Sequence, residues 1–170
     1  KVSYSPKSYN NKYGVPLSIF NINKYDDFNI FEIGMDKKGE IDLLSKIIQP
    51  DVGVITNISY AHAKNFKNLN QIADAKSEII NNISSNGSIV LNADDIFFKK
   101  HKKIALKKNL KIYSFSLRKP NTNVYIKKII KLKNKYKILI NINKKQKIFF
   151  IKSIFESNLK NMLAALAVIS

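Results

Sequence analysis

The chain has 170 residues, 45% of them hydrophobic, which is enough for one cored domain with a small annex and too few for a typical multidomain enzyme. Its net charge of +18 ordinarily points to a nucleic-acid partner. Lys supplies 29 of the 30 basic residues, however, and Arg118 is the only Arg. Lys, Asn and Ile fill 77 of the 170 positions, all three encoded by A/T-rich codons, so base composition accounts for much of the charge. Bases and phosphates are preferentially read by Arg forks, and no nucleic-acid partner is expected.

The absence of Cys excludes a disulfide framework and a thiolate metal site, which fits a cytoplasmic protein. No apolar run reaches the roughly 18 to 20 residues of a membrane span, and the N-terminus lacks a signal-peptide core. The chain begins without Met on a strand pattern and ends at Ser170 inside an apolar helix pattern, so a fragment, monomeric, is expected.

In chain order, strands are predicted near 1–4, 28–34, 51–57, 87–92 and 110–115. Helices are predicted near 14–21, 39–48, 68–83 and 94–107. This alternation implies an α/β fold with a mostly parallel sheet flanked by helices. Pro50-Asp51 and Asn86-Gly87 mark entries into buried strands. The rhythm then changes to three β-rich runs, Val124 to Leu132, Tyr136 to Ile142 and Lys147 to Ile151, separated by Asn134-Lys135 and Asn143-Lys144. Alternation with Lys around short Asn-containing turns predicts a small antiparallel β meander. A helix over 158–169 restores the apolar periodicity. The expected organisation is an α/β core over 1–116, a β subdomain over 117–152 and a returning helix of the core over 153–170.

Several residues in this framework carry possible chemistry. In the helix near 68–83, Lys76 falls four residues after Ile72 and three before Ile79, within the apolar stripe. Desolvation there favours a neutral, nucleophilic amine, which can also take up carbon dioxide as an anionic carbamate. The alternative is an alkyl stem that carries its ammonium out to water. Glu32 follows Asn29-Ile-Phe31 and precedes Gly34, placing a carboxylate at a strand's C-terminal edge. It can hold a hard cation such as Mg²⁺ or remain a solvated acid. His62 lies in the loop after the next strand, as a ligand or a structural imidazole. Glu32, His62 and Lys76 belong to consecutive strand-loop-helix units, and the C-terminal edge is where such sheets bind ligands.

Asn10-Asn11 can bond a ligand or make a turn, and Asp94 and Asp95 after Asn92 can cap a helix. The Lys99 to Lys111 cluster reads as a solvated helix face. The five glycines never form G-x-x-x-x-G-K-[ST], so no phosphate-cradling loop is present.

These pieces together resemble the central ATP-binding domain of the Mur ligases. The resemblance rests on Ser8-Tyr-Asn10-Asn11 with Gly14-Val-Pro-Leu17, Glu32-Ile-Gly34 with Gly39-Glu-Ile41, Thr56-Asn-Ile58 with Ala61-His62, Ala75-Lys76 with Glu78, and Asn92-Ala-Asp-Asp95. Gly39-Glu40-Ile41 favours the members that add D-alanyl-D-alanine to UDP-N-acetylmuramoyl-tripeptide. Folate polyglutamate synthases share the plan and match less well. A basic nucleic-acid-binding or scaffold module without catalysis is the reading of another class.

The resemblance implies an amide ligase of peptidoglycan precursor synthesis, with ATP and Mg²⁺ as cofactors and an acyl phosphate as intermediate. It implies Glu32 and His62 as Mg²⁺ ligands and Lys76 as a carbamylated lysine holding a second Mg²⁺. Asn10, Asn11, Thr56 and Asn57 would be substrate-side, and Asn158 and Asn161 would contact adenine. The chain departs from the family at Glu156-Ser157, where Gly and His are usual, and at Asp36-Lys37, where Asn and His are common. The family's phosphate loop belongs upstream of Lys1, and its N- and C-terminal domains would be partners, so this fragment alone is expected to be inactive.

Overall fold

The computed structural model describes residues 1–60 and 65–170. The elements run β1 (Val2–Tyr4), α1 (Gly14–Phe20), β2 (Phe28–Ile30), α2 (Glu40–Ile48), β3 (Val52–Ile55), α3 (Leu69–Asn81), β4 (Ser88–Asn92), α4 (Phe98–Lys107), β5 (Lys111–Ser116), β6 (Val124–Lys131), β7 (Tyr136–Ile142), β8 (Lys145–Ile151) and α5 (Glu156–Val168). Backbone contacts group them into two units, residues 1–50 with 59–84, and residues 51–58 with 85–170. Among the described residues no helix is long and apolar enough to cross a membrane.

In the first unit, β1 and β2 pair in parallel, Val2 opposite Phe28 and Tyr4 opposite Ile30, with α1 between them in sequence. Helices α2 and α3 lie against each other, and Ile41 and Leu44 of the one and Ile72 and Ile80 of the other are buried. Asn82, just past α3, ties the two helices by donating through Nδ2 to Asp42 Oδ1 at 2.9 Å and to Ser45 Oγ at 2.9 Å. The predicted strand over 28–34 ends at Ile30, because Gly34 N donates to Asn10 O at 2.7 Å and draws 32–34 out of strand pairing.

Gly14, at the start of α1, is required by close approach. A Cβ there would meet Tyr9 Cα at 2.5 Å and Tyr9 C at 2.7 Å, main-chain atoms that cannot rotate away. Gly14→Ala is therefore expected to lower stability by roughly 1–3 kcal/mol through overpacking. The urea midpoint checks it, and an unchanged midpoint would contradict the packing described.

In the second unit, β3, β4, β5 and β6 are parallel in that order, and β6, β7 and β8 continue the sheet antiparallel. The mostly parallel sheet, its helices and the antiparallel strands thus follow the sequence expectation. Helix α5 lays Leu159, Leu163, Ala164 and Ala167 onto Val90, Phe115, Val124, Ile138 and Ile140, closing an apolar core. β8 starts at Lys145, two residues before its predicted start. Asn143 and Lys144 both have positive φ, 46° and 69°, so a two-residue turn with the right-handed twist of the strands closes the hairpin and leaves no further loop. The predicted helix over 94–107 starts at Phe98. Asp94 turns to the end of β5 instead, while Asp95 divides its carboxylate, Oδ1 accepting from Phe97 N at 2.8 Å just ahead of the helix and Oδ2 from Ile58 N.

Candidate functional site

In the first unit the sequence itself builds a fixed carboxylate at the end of β2. Glu32 is exposed, and its Oε1 accepts from Asn10 Nδ2 at 2.9 Å. Asn10 is held in turn by the Gly34 N–H on its main-chain oxygen, and a Cβ on Gly34 would sit 3.1 Å from Asn10 Cγ. Asn10 is thus an orienting partner for Glu32. Asn11 has a different task, its Oδ1 accepting from Tyr13 N and Gly14 N, both at 3.0 Å, in the turn that starts α1.

Lys76 lies on the arc of α3 between Ile72 and Ile80, both fully buried, and is itself half-buried. Two residues on, Glu78 fixes α3 against the start of α2. Its Oε1 accepts from Gly39 N at 2.8 Å and its Oε2 from Asp42 N at 3.1 Å. Gly39 has φ of 91° and no side chain to cap its own helix, so an acid from the next helix satisfies these N–H groups and opposes the positive end of the helix dipole. Glu40 reaches back to Asp36 N at 2.6 Å and Lys37 N at 3.0 Å. These backbone donors hold its carboxyl below the ordinary carboxylate range.

A depressed folded-state value gives stability that is present above the ordinary value of about 4.5 and lost as pH falls through the lowered one. Melting temperature measured from pH 6 down to pH 3 should therefore fall more steeply for the parent than for Glu40→Gln. Parallel curves would remove Glu40 as a contributor.

His62 lies outside the described residues. Among the described residues no three acidic or imidazole groups converge to hold a metal ion. Mg²⁺ keeps several waters and binds through one or two carboxylates and phosphate oxygens, so an exposed, oriented carboxylate such as Glu32 fits that donor set.

In the second unit an open cavity of about 270 Å³ is lined by Thr56, Asn57, Glu156, Ser157, Lys160 and Asn161. Asn92 Nδ2 donates to Thr56 O at 3.0 Å, and Ile58 N donates to Asp95 Oδ2 at 2.9 Å. The end of β4 therefore clamps the segment after β3 on both sides of Asn57. Asp94 binds the end of β5, accepting from Ser116 Oγ at 2.6 Å and Leu117 N at 2.7 Å. Across the cavity wall, Lys160 Nζ pairs with Glu156 Oε1 at 2.7 Å. That ion pair holds the Glu156 carboxyl below its ordinary range.

Of the two asparagines expected at adenine, Asn161 lines the cavity, while Asn158 is exposed and is not part of the lining. Sequence reasoning did not single out Lys160 as a lining residue. Its signal is the i, i+4 spacing from Glu156, at the position already marked as a departure. Polar side chains at the C-terminal ends of parallel strands are suited to positioning an anionic ligand.

The profile of the Mur ligase middle domain matches residues 1–169. A UDP-N-acetylmuramoyl-tripeptide–D-alanyl-D-alanine ligase of Buchnera aphidicola is 37% identical over 113 residues, 66% of this chain and 24% of the relative. MurF from Acinetobacter baumannii superposes with a TM-score of 0.88 at 29% identity, over 98% of this chain and 36% of that one. A MurF ligase of Thermotoga maritima in complex with ADP gives 0.85 at 25% identity, over 99% and 38%. An FPGS of L. casei gives 0.63 at 15% identity over 84% and 33%, a likeness of fold alone. The chain spans about a quarter of the length of such curated relatives.

Proposed function

We propose, given that the chain belongs to the Mur ligase middle-domain family, that the protein containing it is an ATP-driven ligase. It would add D-alanyl-D-alanine to UDP-N-acetylmuramoyl-tripeptide in the cytoplasm during peptidoglycan precursor synthesis, serving cell wall biogenesis, cell shape and division. The observation that carries the reading is the superposition on MurF over 98% of this chain, while the FPGS likeness is one of fold alone.

In this reading the tripeptide carboxylate attacks the γ-phosphorus of ATP and ADP leaves. The amine of D-alanyl-D-alanine then attacks the acyl carbon, an amide bond forms, and phosphate leaves with the former carboxylate oxygen. Mg²⁺, when bound, neutralises charge developing on the phosphoryl oxygens. Glu32 and His62 would hold it, with Asn10 keeping Glu32 oriented. Lys76, as the carbamate formed when its neutral amine adds to carbon dioxide and loses a proton, would hold a second Mg²⁺. Thr56 and Asn57, clamped by Asn92 and Asp95, would face substrate phosphates, and Asn161 would meet the adenine.

The test is an assay of the full-length protein for ADP release with UDP-N-acetylmuramoyl-tripeptide and D-alanyl-D-alanine, and separately with a folate and glutamate. Turnover that needs both peptidoglycan substrates is expected. Turnover with the folate pair alone, or none with either, overturns the reading.

A further inference from the structure

The positive charge is segregated along the chain. Residues 96–155 carry 18 Lys and Arg118 with no Asp or Glu, whereas the other 110 residues, with 11 Lys and 12 acids, are close to neutral. A/T-rich coding raises Lys throughout a chain and does not by itself remove every acid from one stretch of 60. The β6–β8 strands lie within that stretch, and their alternation sorts its side chains.

Ile138 and Ile140 of β7 are fully buried in the cluster with Leu159 and Leu163 of α5, so Lys137 and Leu139 stand on the opposite face of the sheet. The register sets Lys137 between Ile130 and Phe150, and Leu139 between Lys128 and Ile148. Phe150 is 54% exposed and Ile148 53%. Lys135 Nζ lies 4.6 Å from the centre of the Phe150 ring. The outer face thus alternates apolar side chains with ammonium groups, and no acid lies on any of its three strands.

We propose that the outer face of β6–β8 docks the protein peripherally on an anionic lipid bilayer. Ile130, Leu139, Ile148 and Phe150 supply an apolar surface for the boundary between headgroups and acyl chains. Lys128, Lys137 and Lys135 reach the lipid phosphates on flexible stems. A nucleic acid is the less suited partner. It favours Arg forks and several stacking rings, whereas the only Arg, Arg118, lies outside these strands and Phe150 is the only aromatic ring of the face that is more than half exposed. The inference is independent of the ligase reading, since none of these residues lines the cavity.

Flotation of the full-length protein with vesicles tests it, using equal phosphatidylcholine and phosphatidylglycerol against phosphatidylcholine alone. Co-flotation is expected with the anionic vesicles only, released by high salt. Lys128→Gln and Lys137→Gln should each lower partitioning roughly five-fold. The pair Ile148→Ser with Phe150→Ser should lower it at least as far at unchanged charge, and the Lys variants keep the test decisive if that pair does not fold. No flotation, equal binding to neutral vesicles, or variants that bind like the parent overturn the proposal. So does binding of a single-stranded RNA oligonucleotide that responds to these variants when vesicle binding does not.

Discussion

Lys76→Ala in the full-length protein is expected to lower kcat/KM for D-alanyl-D-alanine addition by roughly 100-fold, the scale of losing a group that holds a catalytic metal. The position explains why a structural role alone does not account for such a loss. Lys76 is half-buried on α3, and Ile72, Ala73, Ala75, Ser77 and Ile80 form the buried surface of that helix without it. The helix is registered against α2 by Glu78 through Gly39 and Asp42. Removal of the side chain beyond Cβ should therefore leave the melting temperature within a few degrees while turnover falls. Native mass spectrometry of the parent in bicarbonate should show the added mass of one carbon dioxide, absent from the variant. A variant with parental turnover would sink the assignment, whatever its mass.

Phe115→Ala is the expected extreme for stability, at roughly 3–5 kcal/mol, because a large side chain is lost from a site that cannot collapse. Phe115 is fully buried in β5, pairs with Asn92 of β4 and Val124 of β6, and accepts the Ala93 N–H at 2.8 Å. With a urea dependence of about 2 kcal/mol per molar, the midpoint should fall by roughly 2 M. The loss also reaches the cavity, since Asn92 both pairs with Phe115 and clamps Thr56. A small shift in midpoint would mean that the core around α5 is not packed as described.

Most element types were readable from periodicity, because each helix and strand buries a regular set of apolar positions. Boundaries went astray where a polar side chain had a distant partner to satisfy. Asp94 reads as a helix cap, but Ser116 and Leu117 come within its reach only in the folded sheet, and Asp95 keeps one oxygen on Phe97 N at the helix entry while the other reaches Ile58 N. The same limit shaped the site. Glu32 was legible as an acid at a strand end, whereas Asn10 as its orienting partner was not, since the two are 22 positions apart. Glu78 carried a motif without a task until α3 brought it to an uncapped Gly39. Asn143-Lys144, by contrast, reads as a turn from local chemistry alone, and only its two-residue length depends on the folded hairpin.

The central claim is that this domain serves a ligase that activates a carboxylate through phosphate. The most direct measurement supplies UDP-N-acetylmuramoyl-tripeptide labelled with the heavy oxygen isotope in the reacting carboxylate and follows the label during a single turnover of the full-length protein. One labelled oxygen appearing in the released phosphate for each amide formed is the predicted result. Amide formation with unlabelled phosphate would contradict it.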